Sequence, residues 1–351
     1  AAPRSYVNHP LDMRTALGLV RDASEILPAL LDGGHTAAAG RLAGAMRRVG
    51  RVNIADDILR AMRAAGYTVS ETDPFDDDLT VSFPPRERSP YSNRIRAYWQ
   101  SMRDDIIAAF PEPPGLPRDK ARYLEHVDDV YTSDAYHSLS IEGYRVNAEL
   151  IERVRDGAWT PEQLAQDREQ RDAMAARGYW LAFQEVRNSV EKILNGQNPG
   201  DVAEADHADW FRALFAPSVE ANILSAGDLA GYRSGQVYIR NSMHVPPNSN
   251  AVPDGMTALF DQVREEEHPA VRTVLGHWVF VYVHPYMDGN GRVGRFLMNA
   301  MLASGGYPWT VITVDRRNDY MAALEAASVN SDIRPFAKVL AEFVTTGMER
   351  T

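Results

Sequence analysis

The chain has 351 residues, no cysteine, and 48 acidic against 37 basic side chains, which gives a formal net charge of −11. The lack of cysteine excludes disulfides, thiolate metal sites and cysteine nucleophiles, and the acidic balance argues against general nucleic-acid binding, since a surface that follows phosphates needs basic excess. A hydrophobic content of 44% is typical of globular proteins, and no apolar run approaches the roughly 18 residues that span a bilayer. Because no apolar signal segment stands at the N-terminus, we expect a cytoplasmic protein.

Residues 11–72 are predicted to be helical, because apolar side chains recur there at helical spacing. A run of arginines within this stretch, at positions 41, 47, 48, 51, 60 and 63, makes it locally basic. A helix-turn-helix that binds DNA is one interpretation. A solvated helical face is the other, and Asp56 and Asp57 favour it because they interrupt the basic patch.

A helix is predicted over 92–110, and a short strand over 79–83. The proline-rich segment that follows, residues 111–117, breaks the chain. We place the domain boundary there, which predicts a helical N-terminal region at 1–112, with partner binding as one candidate role, and a second domain at 118–351.

The second domain reads as successive helices, at 118–131, 133–143, 147–155, 160–194, 206–215, 256–266 and 269–283. One segment differs in kind. Strand-like residues are followed there by turn formers, which predicts an exposed hairpin or flap. The strand-like residues are Gln236, Val237, Tyr238 and Ile239, and the turn formers are Asn241, Pro246 and Pro247.

The segment from His284 to Arg295 reads His-Pro-Tyr-Met-Asp-Gly-Asn-Gly-Arg-Val-Gly-Arg. Glycines at the start of a helix let backbone N–H groups converge on phosphate oxygens, and arginines add fork-shaped donors. A carboxylate can hold Mg²⁺ that also binds phosphate, and a histidine can accept a proton near neutral pH. We interpret this segment as the place where a nucleotide phosphate meets a nucleophile.

The glycines also match the dinucleotide-binding pattern G-x-G-x-x-G from Gly289 to Gly294, with Asp315 after a strand-like stretch at 311–314. Three features oppose that interpretation. The glycines do not leave a strand directly, the segment before them has helical periodicity, and the chain lacks the alternating strands and helices of a Rossmann sheet.

The same twelve residues resemble the Fic family signature, His-Pro-Phe-x-(Asp/Glu)-Gly-Asn-Gly-Arg-x-x-Arg, with Tyr286 in place of phenylalanine. The resemblance covers roughly residues 120 to 345. It implies an all-helical fold with a β-hairpin flap, and transfer of AMP from ATP to a protein hydroxyl. The alternatives are a Fic enzyme that transfers another group or mainly removes AMP, and, in a different class, a DNA- or antitoxin-like binding regulator.

By this resemblance, His284 is the general base toward a Ser, Thr or Tyr hydroxyl, and Asp288 holds Mg²⁺. The implied nucleotide-binding residues are Gly289, Asn290 and Gly291 as an anion hole, Arg292 at the β-phosphate, Arg295 at the γ-phosphate, and Gly294. The flap, residues 236–239, docks the target backbone as an added strand. The implied partners are ATP and a target protein, with self-modification and a homo-oligomer as further expectations, and neither nucleic acid nor a membrane.

Residues 138–143, Ser-Leu-Ser-Ile-Glu-Gly, resemble the family's inhibitory motif, (Ser/Thr)-x-x-x-Glu-(Gly/Asn). Ser138 and Glu142 stand four residues apart, on one helix face. The resemblance implies an inhibitory helix near 133–143, before the core, whose Glu142 pairs with Arg295. Tyr144 follows, where many members have asparagine.

Overall fold

The computed structural model describes residues 10–75, 89–157 and 167–349. These ranges contain fourteen α-helices and no β-strand, so the all-α prediction is confirmed. The predicted strand at 79–83 and the predicted helix start at 160 lie outside the described residues. In the described ranges, no helix combines the length and the apolar character needed to cross a bilayer.

Contacts divide the chain into two compact units, Ala1–Glu87 with Asn222–Ser234, and Arg88–Ala221 with Gly235–Thr351. The described residues of the first unit contain four α-helices: α1 (Pro10–Leu19), α2 (Leu27–Leu31), α3 (Thr36–Arg48) and α4 (Val52–Ala64). Small residues on α3 let other backbone approach closely, since a Cβ on Gly40 would overlap the carbonyl of Ser70. The basic patch predicted here is partly neutralised, because Arg47 contacts both Asp56 and Glu71 at 2.7 Å.

The second unit contains the other ten helices: α5 (Pro90–Ala109), α6 (Lys120–Ile141), α7 (Ala148–Arg155), α8 (Asp167–Leu194), α9 (Pro199–Glu220), α10 (Val252–Glu265), α11 (Pro269–Val283), α12 (Asn290–Ala303), α13 (Arg317–Asn330) and α14 (Arg334–Met348). Helices α11 and α12 form its centre, because nearly all of their residues are buried. The loop between them is therefore held on both sides by the best-packed part of the unit.

This division differs from the boundary predicted at residues 111–117. Helix α5 packs against α10, α11 and α14, so it belongs to the second unit. The proline-rich segment itself is bound there, since Gly115 N–H donates to the Gly305 carbonyl at 3.0 Å and the Tyr307 hydroxyl donates to the Pro111 carbonyl at 2.6 Å. Prolines end the helix, but they do not prevent the chain on both sides from sharing one core.

The two helices predicted at 118–131 and 133–143 are one continuous helix, α6. Thr132 and Ser133, which stand where the two predicted helices meet, do not interrupt it, because neither removes a backbone donor as proline does. The break comes at Gly143, whose positive φ of 87° is a conformation that glycine adopts readily. The continuous helix places Ser138 and Glu142 rigidly on the same element.

The predicted flap, residues 236–239, and the turn formers that follow it up to Pro247 have neither helix nor strand. Its two arms are joined by a hydrogen bond from the Gln236 side-chain amide to the Pro246 carbonyl, at 3.0 Å. Prolines 246 and 247 lack the N–H groups that a regular ladder needs, which accounts for the absence of paired strands. Exposed and half-buried residues still alternate over 236–240, and Tyr238 is 78% exposed.

Candidate active site

His284 follows directly on α11 and takes a left-handed backbone conformation, with φ 52° and ψ 62°. This conformation costs a non-glycine residue about 1–3 kcal/mol and persists where the surroundings impose it. The imidazole Nδ1 lies 3.2 Å from the Val281 carbonyl, which can only accept. In the neutral ring the proton therefore sits on Nδ1, and Nε2 is the basic nitrogen.

The loop after His284 is held by hydrogen bonds to the side chain of Asn290, the first residue of α12. Its side-chain oxygen accepts from the Tyr286 N–H and its amide donates to the Tyr286 carbonyl, both at 2.9 Å. The Tyr286 ring is buried and stacks on Phe211 of α9, with centroids 3.7 Å apart. Tyr286 thus anchors the loop in the core, and the Asn290 side chain holds the loop backbone.

Glycines bring the N-terminus of α12 close to its neighbours. Gly289 precedes the helix with a φ of 81°, and its N–H donates to Asp288 Oδ1 at 2.6 Å. A Cβ on Gly291 would overlap the carboxylate of Glu142. Without a side chain at 291, Glu142 reaches the first turn of α12, where backbone N–H groups and the helix dipole favour negative charge.

Arg295 of α12 is tied to α6 by three hydrogen bonds. Its Nε donates to the Ser138 hydroxyl at 2.9 Å, and its Nη2 donates to the Ser138 carbonyl at 3.0 Å and to Glu142 Oε1 at 2.8 Å. Among the described residues, no partner accepts from the buried Nη1. An unsatisfied buried donor is costly, so this nitrogen favours an additional anionic or polar ligand.

The charges of Arg295 and Glu142 stabilise each other. Burial by itself would raise the pKa of the Glu142 carboxyl, but the positive charges of Arg295 and Arg292 outweigh it, so the pKa lies below its ordinary value. Conversely, burial would lower the pKa of Arg295, while Glu142 holds it above its ordinary value. Glu142 is therefore an ionised partner at neutral pH, although 28% of its side-chain surface remains exposed.

A cavity of about 570 Å³ opens in front of these groups. Of the predicted site residues, those that line it are Glu142, Tyr238, Ile239, His284, Asp288, Gly291 and Arg295. The other predicted residues, which lie outside the cavity lining, are Ser138, Gln236, Val237, Gly289, Asn290, Arg292 and Gly294. The structure thus joins a base, an exposed carboxylate, a helix N-terminus and an arginine in one space.

Residues 207–302 match the model of the Fic/DOC family. This range includes the whole segment from His284 to Arg295. Over this range the chain is similar to the Fic/DOC family. Its relatives include the protein adenylyltransferase Fic of Nematostella vectensis, 40% identical over 262 residues, and that of Drosophila yakuba, 30% identical over 246 residues.

These alignments cover 74% and 68% of this chain, and 56% and 44% of the two relatives. The chain thus spans about half the length of the curated relatives it matches. Among solved structures, Fic-1 of C. elegans is similar with a TM-score of 0.53 over 99% of this chain and 94% of that chain. At 18% sequence identity, this likeness shows a common fold.

Gly294, one of the predicted nucleotide-binding residues, and Asn299, further along α12, have packing roles in this structure. Gly294 faces α11, because a Cβ there would lie 3.0 Å from the ring of His277. Asn299 exchanges two hydrogen bonds with the backbone of Thr310, at 2.7 and 3.1 Å. His277 is itself buried, with Nε2 2.8 Å from the Tyr320 hydroxyl, and burial lowers its pKa to about 4.

Among the cavity residues that were not predicted from the sequence are Arg317 and Glu325. Arg317 lines the cavity and donates from Nε to the Ile141 carbonyl at the end of α6, at 2.8 Å. Glu325 of α13 accepts from the Ser242 hydroxyl at 2.5 Å and from the Met243 N–H at 2.7 Å. In the sequence, Glu325 stands out only as a charged residue between the apolar Leu324 and Ala326. That pattern does not indicate which residues Glu325 contacts.

Through these two hydrogen bonds, Glu325 attaches the flap to helix α13. His244 adds a second attachment, with Nε2 2.9 Å from the Tyr282 carbonyl and its ring stacked on that of Tyr282. The turn between the two arms uses Asn241 in the left-handed region, with φ 60°. The flap is thus anchored at its turn, next to the cavity.

One turn before Ser138, α6 carries a buried acid. Asp134 is 5% exposed and accepts from the Tyr179 hydroxyl at 2.6 Å, and burial raises its pKa from 3.8 to about 6. An acid whose pKa is raised in the folded state contributes stability below its unfolded pKa, and that contribution is lost as pH rises through the folded pKa.

We therefore expect Asp134→Asn to change how stability depends on pH. Relative to the variant, the wild-type free energy of unfolding should fall by about 3 kcal/mol between about pH 4 and 7. Urea unfolding of both proteins across that range measures the difference. Parallel profiles would contradict a raised pKa, and Asp319→Asn on the surface of α13 is the control for removing a charge.

Proposed function

We propose that this chain is an autoinhibited protein adenylyltransferase, which transfers AMP from ATP to a hydroxyl side chain of a target protein. The observation that carries the proposal is the convergence of His284, Asp288, Gly291 and Arg295 on one cavity, with Glu142 paired to Arg295. The names of the relatives support the same reaction class.

His284 is assigned the role of general base. Its Nε2 accepts the proton of the target hydroxyl, and the oxygen attacks the α-phosphorus of ATP. The bond from that phosphorus to the bridging oxygen breaks, and pyrophosphate leaves. The orientation of the ring through the Val281 carbonyl supports this role, because it makes Nε2 the basic nitrogen.

The phosphates are assigned to the N-terminus of α12. Backbone N–H groups of its first turn and the helix dipole supply a preorganised anion site, and no hydroxyl or amide side chain needs to reorient there. Arg295 is placed to take the γ-phosphate, which would satisfy its Nη1. Charge neutralisation of this kind is the main source of acceleration in phosphoryl and nucleotidyl transfer.

Asp288 is the candidate ligand for Mg²⁺. Its side chain is 68% exposed at the cavity, and Mg²⁺ is commonly held by one or two carboxylates together with substrate phosphates and water. The donor chemistry fits this ion. When bound, Mg²⁺ neutralises charge on the phosphates, while Gly289 N–H orients the carboxylate.

Glu142 is assigned the role of inhibitor. It is paired with the guanidinium that a γ-phosphate needs, so ATP must displace this partly buried ion pair to bind productively. The flap, with Glu325 and His244 as its anchors, is assigned to target docking. An exposed, extended segment can pair through its backbone with a target segment as an added strand, whatever the side chains of the target.

The test uses ATP carrying ³²P at either the α- or the γ-phosphate, with Glu142→Gly protein and a cell lysate. Adenylyl transfer predicts that label from the α-position enters protein and that label from the γ-position does not. Label from γ alone would indicate phosphoryl transfer, and label from α-labelled UTP alone would indicate another nucleotide. Absence of protein label from every donor would overturn the proposal.

A further inference from the structure

The guanidinium of Arg292 lies over two aromatic rings. Its central carbon is 5.1 Å from the ring centroid of Phe215, on α9, and 5.3 Å from that of Tyr144. Both distances fall within the range of cation–π attraction, which strengthens when the cation is removed from water. The Arg292 side chain is 2% exposed, so this condition is met.

Both aromatic residues have further contacts. Tyr144 lies two residues after Glu142, and its N–H donates to the Leu139 carbonyl at the end of α6, at 3.1 Å. A second guanidinium, that of Arg171, lies 5.1 Å from the same ring centroid. Phe215 packs against the loop glycine, since a Cβ on Gly289 would lie 2.9 Å from its ring.

In this arrangement Arg292 does not line the cavity. Its Nη2 lies 3.4 Å from Asp288 Oδ1, and its buried Nε has no hydrogen-bond partner within the described part of the chain. A phosphate that draws Arg292 into the cavity must pull the guanidinium away from the two rings. That movement breaks the cation–π interactions. The affinity of any ligand that needs Arg292 is therefore lowered by the free energy of those interactions.

We propose that Tyr144 is a specificity-determining residue, which sets how strongly the site prefers nucleotides with a β-phosphate over AMP by holding Arg292 outside the cavity. The inference rests on the proposed function, in which Arg292 serves the β-phosphate. The segment that follows α6 then restrains both arginines, because Glu142 pairs with Arg295 and Tyr144 holds Arg292.

Isothermal titration with ADP and with AMP tests this proposal. ADP has no γ-phosphate, so its binding leaves the Glu142–Arg295 pair intact. Tyr144→Leu removes the aromatic face at similar volume, and we expect its preference for ADP over AMP to rise about tenfold. Tyr144→Phe keeps the face and should keep the wild-type preference.

Arg292 must mediate the effect, so in an Arg292→Ala background Tyr144→Leu should leave the ratio of ADP to AMP affinity unchanged. An unchanged or lower ratio in Tyr144→Leu alone overturns the proposal, as does a shift of equal size in Tyr144→Phe. Equal changes in ADP and AMP affinity would indicate a packing role only. These titrations involve no transfer step, so the proposed function can fail in the label assay independently of this result.

Discussion

Replacing His284 by alanine is expected to lower the rate of AMP transfer by about 10²- to 10⁴-fold, the usual contribution of a general base. The substitution should be made in Glu142→Gly protein, so that the loss is measured from a released state. Alanine removes Nε2 together with the contact to the Val281 carbonyl. It does not make the left-handed backbone conformation at 284 easier to form. The measurement is the initial rate of label entering protein from α-labelled ATP.

Two observations separate loss of the base from loss of the fold. ADP affinity should be preserved in His284→Ala, because the phosphate-binding groups belong to α12. His277→Gln is the matched control, since His277 is buried and bonded to Tyr320 but lies outside the cavity lining. A transfer rate within threefold of the parent in His284→Ala would refute the assignment of the base.

Replacing Glu142 by glycine is expected to raise the transfer rate by about 10- to 100-fold, the range of a coupling free energy between two sites. The variant frees Arg295 Nη2 from its carboxylate, while Ser138 still accepts from Nε and Nη2. The guanidinium therefore stays in position and becomes available to the γ-phosphate. Initial rates at saturating ATP, wild type against variant, measure the effect.

Glu142→Gln separates charge from shape. The amide keeps the size of the side chain but loses the negative charge, so it should activate less than glycine and more than wild type. Glu152→Gly, on the exposed side of α7, is the control for an unrelated glycine substitution. A transfer rate in Glu142→Gly at or below wild type would contradict the inhibitory role.

Helix periodicity was a sound guide where each helix buries an apolar face. The limits of α11 were predicted at 269–283 and are found there, because Pro269 opens the helix and the apolar run ends at His284. The prediction was wrong at α6, where polar residues in mid-helix looked like a break. Local signals for strands also misled at 311–314, where residues 314–316 form a 3-10 turn.

At the site, sequence identified residues that share one short segment. His284, Asp288 and Arg295 stand within twelve positions, and the structure places all three at one cavity. Sequence also linked Glu142 to Arg295, through a resemblance. Residues that reach the site from other helices, such as Glu325 and Phe215, carried no such signal because their partners lie far away along the chain.

The sequence by itself determined an all-helical chain and the chemistry of one loop, since helix formation and glycine conformation depend on neighbouring residues. Only the tertiary structure decided which side chains face the cavity. Arg292 and Arg295 are three residues apart on one helix, yet Arg295 lines the cavity and Arg292 is held by Tyr144 and Phe215. That difference depends on which helices pack against each side of α12, and such packing is set by the whole core.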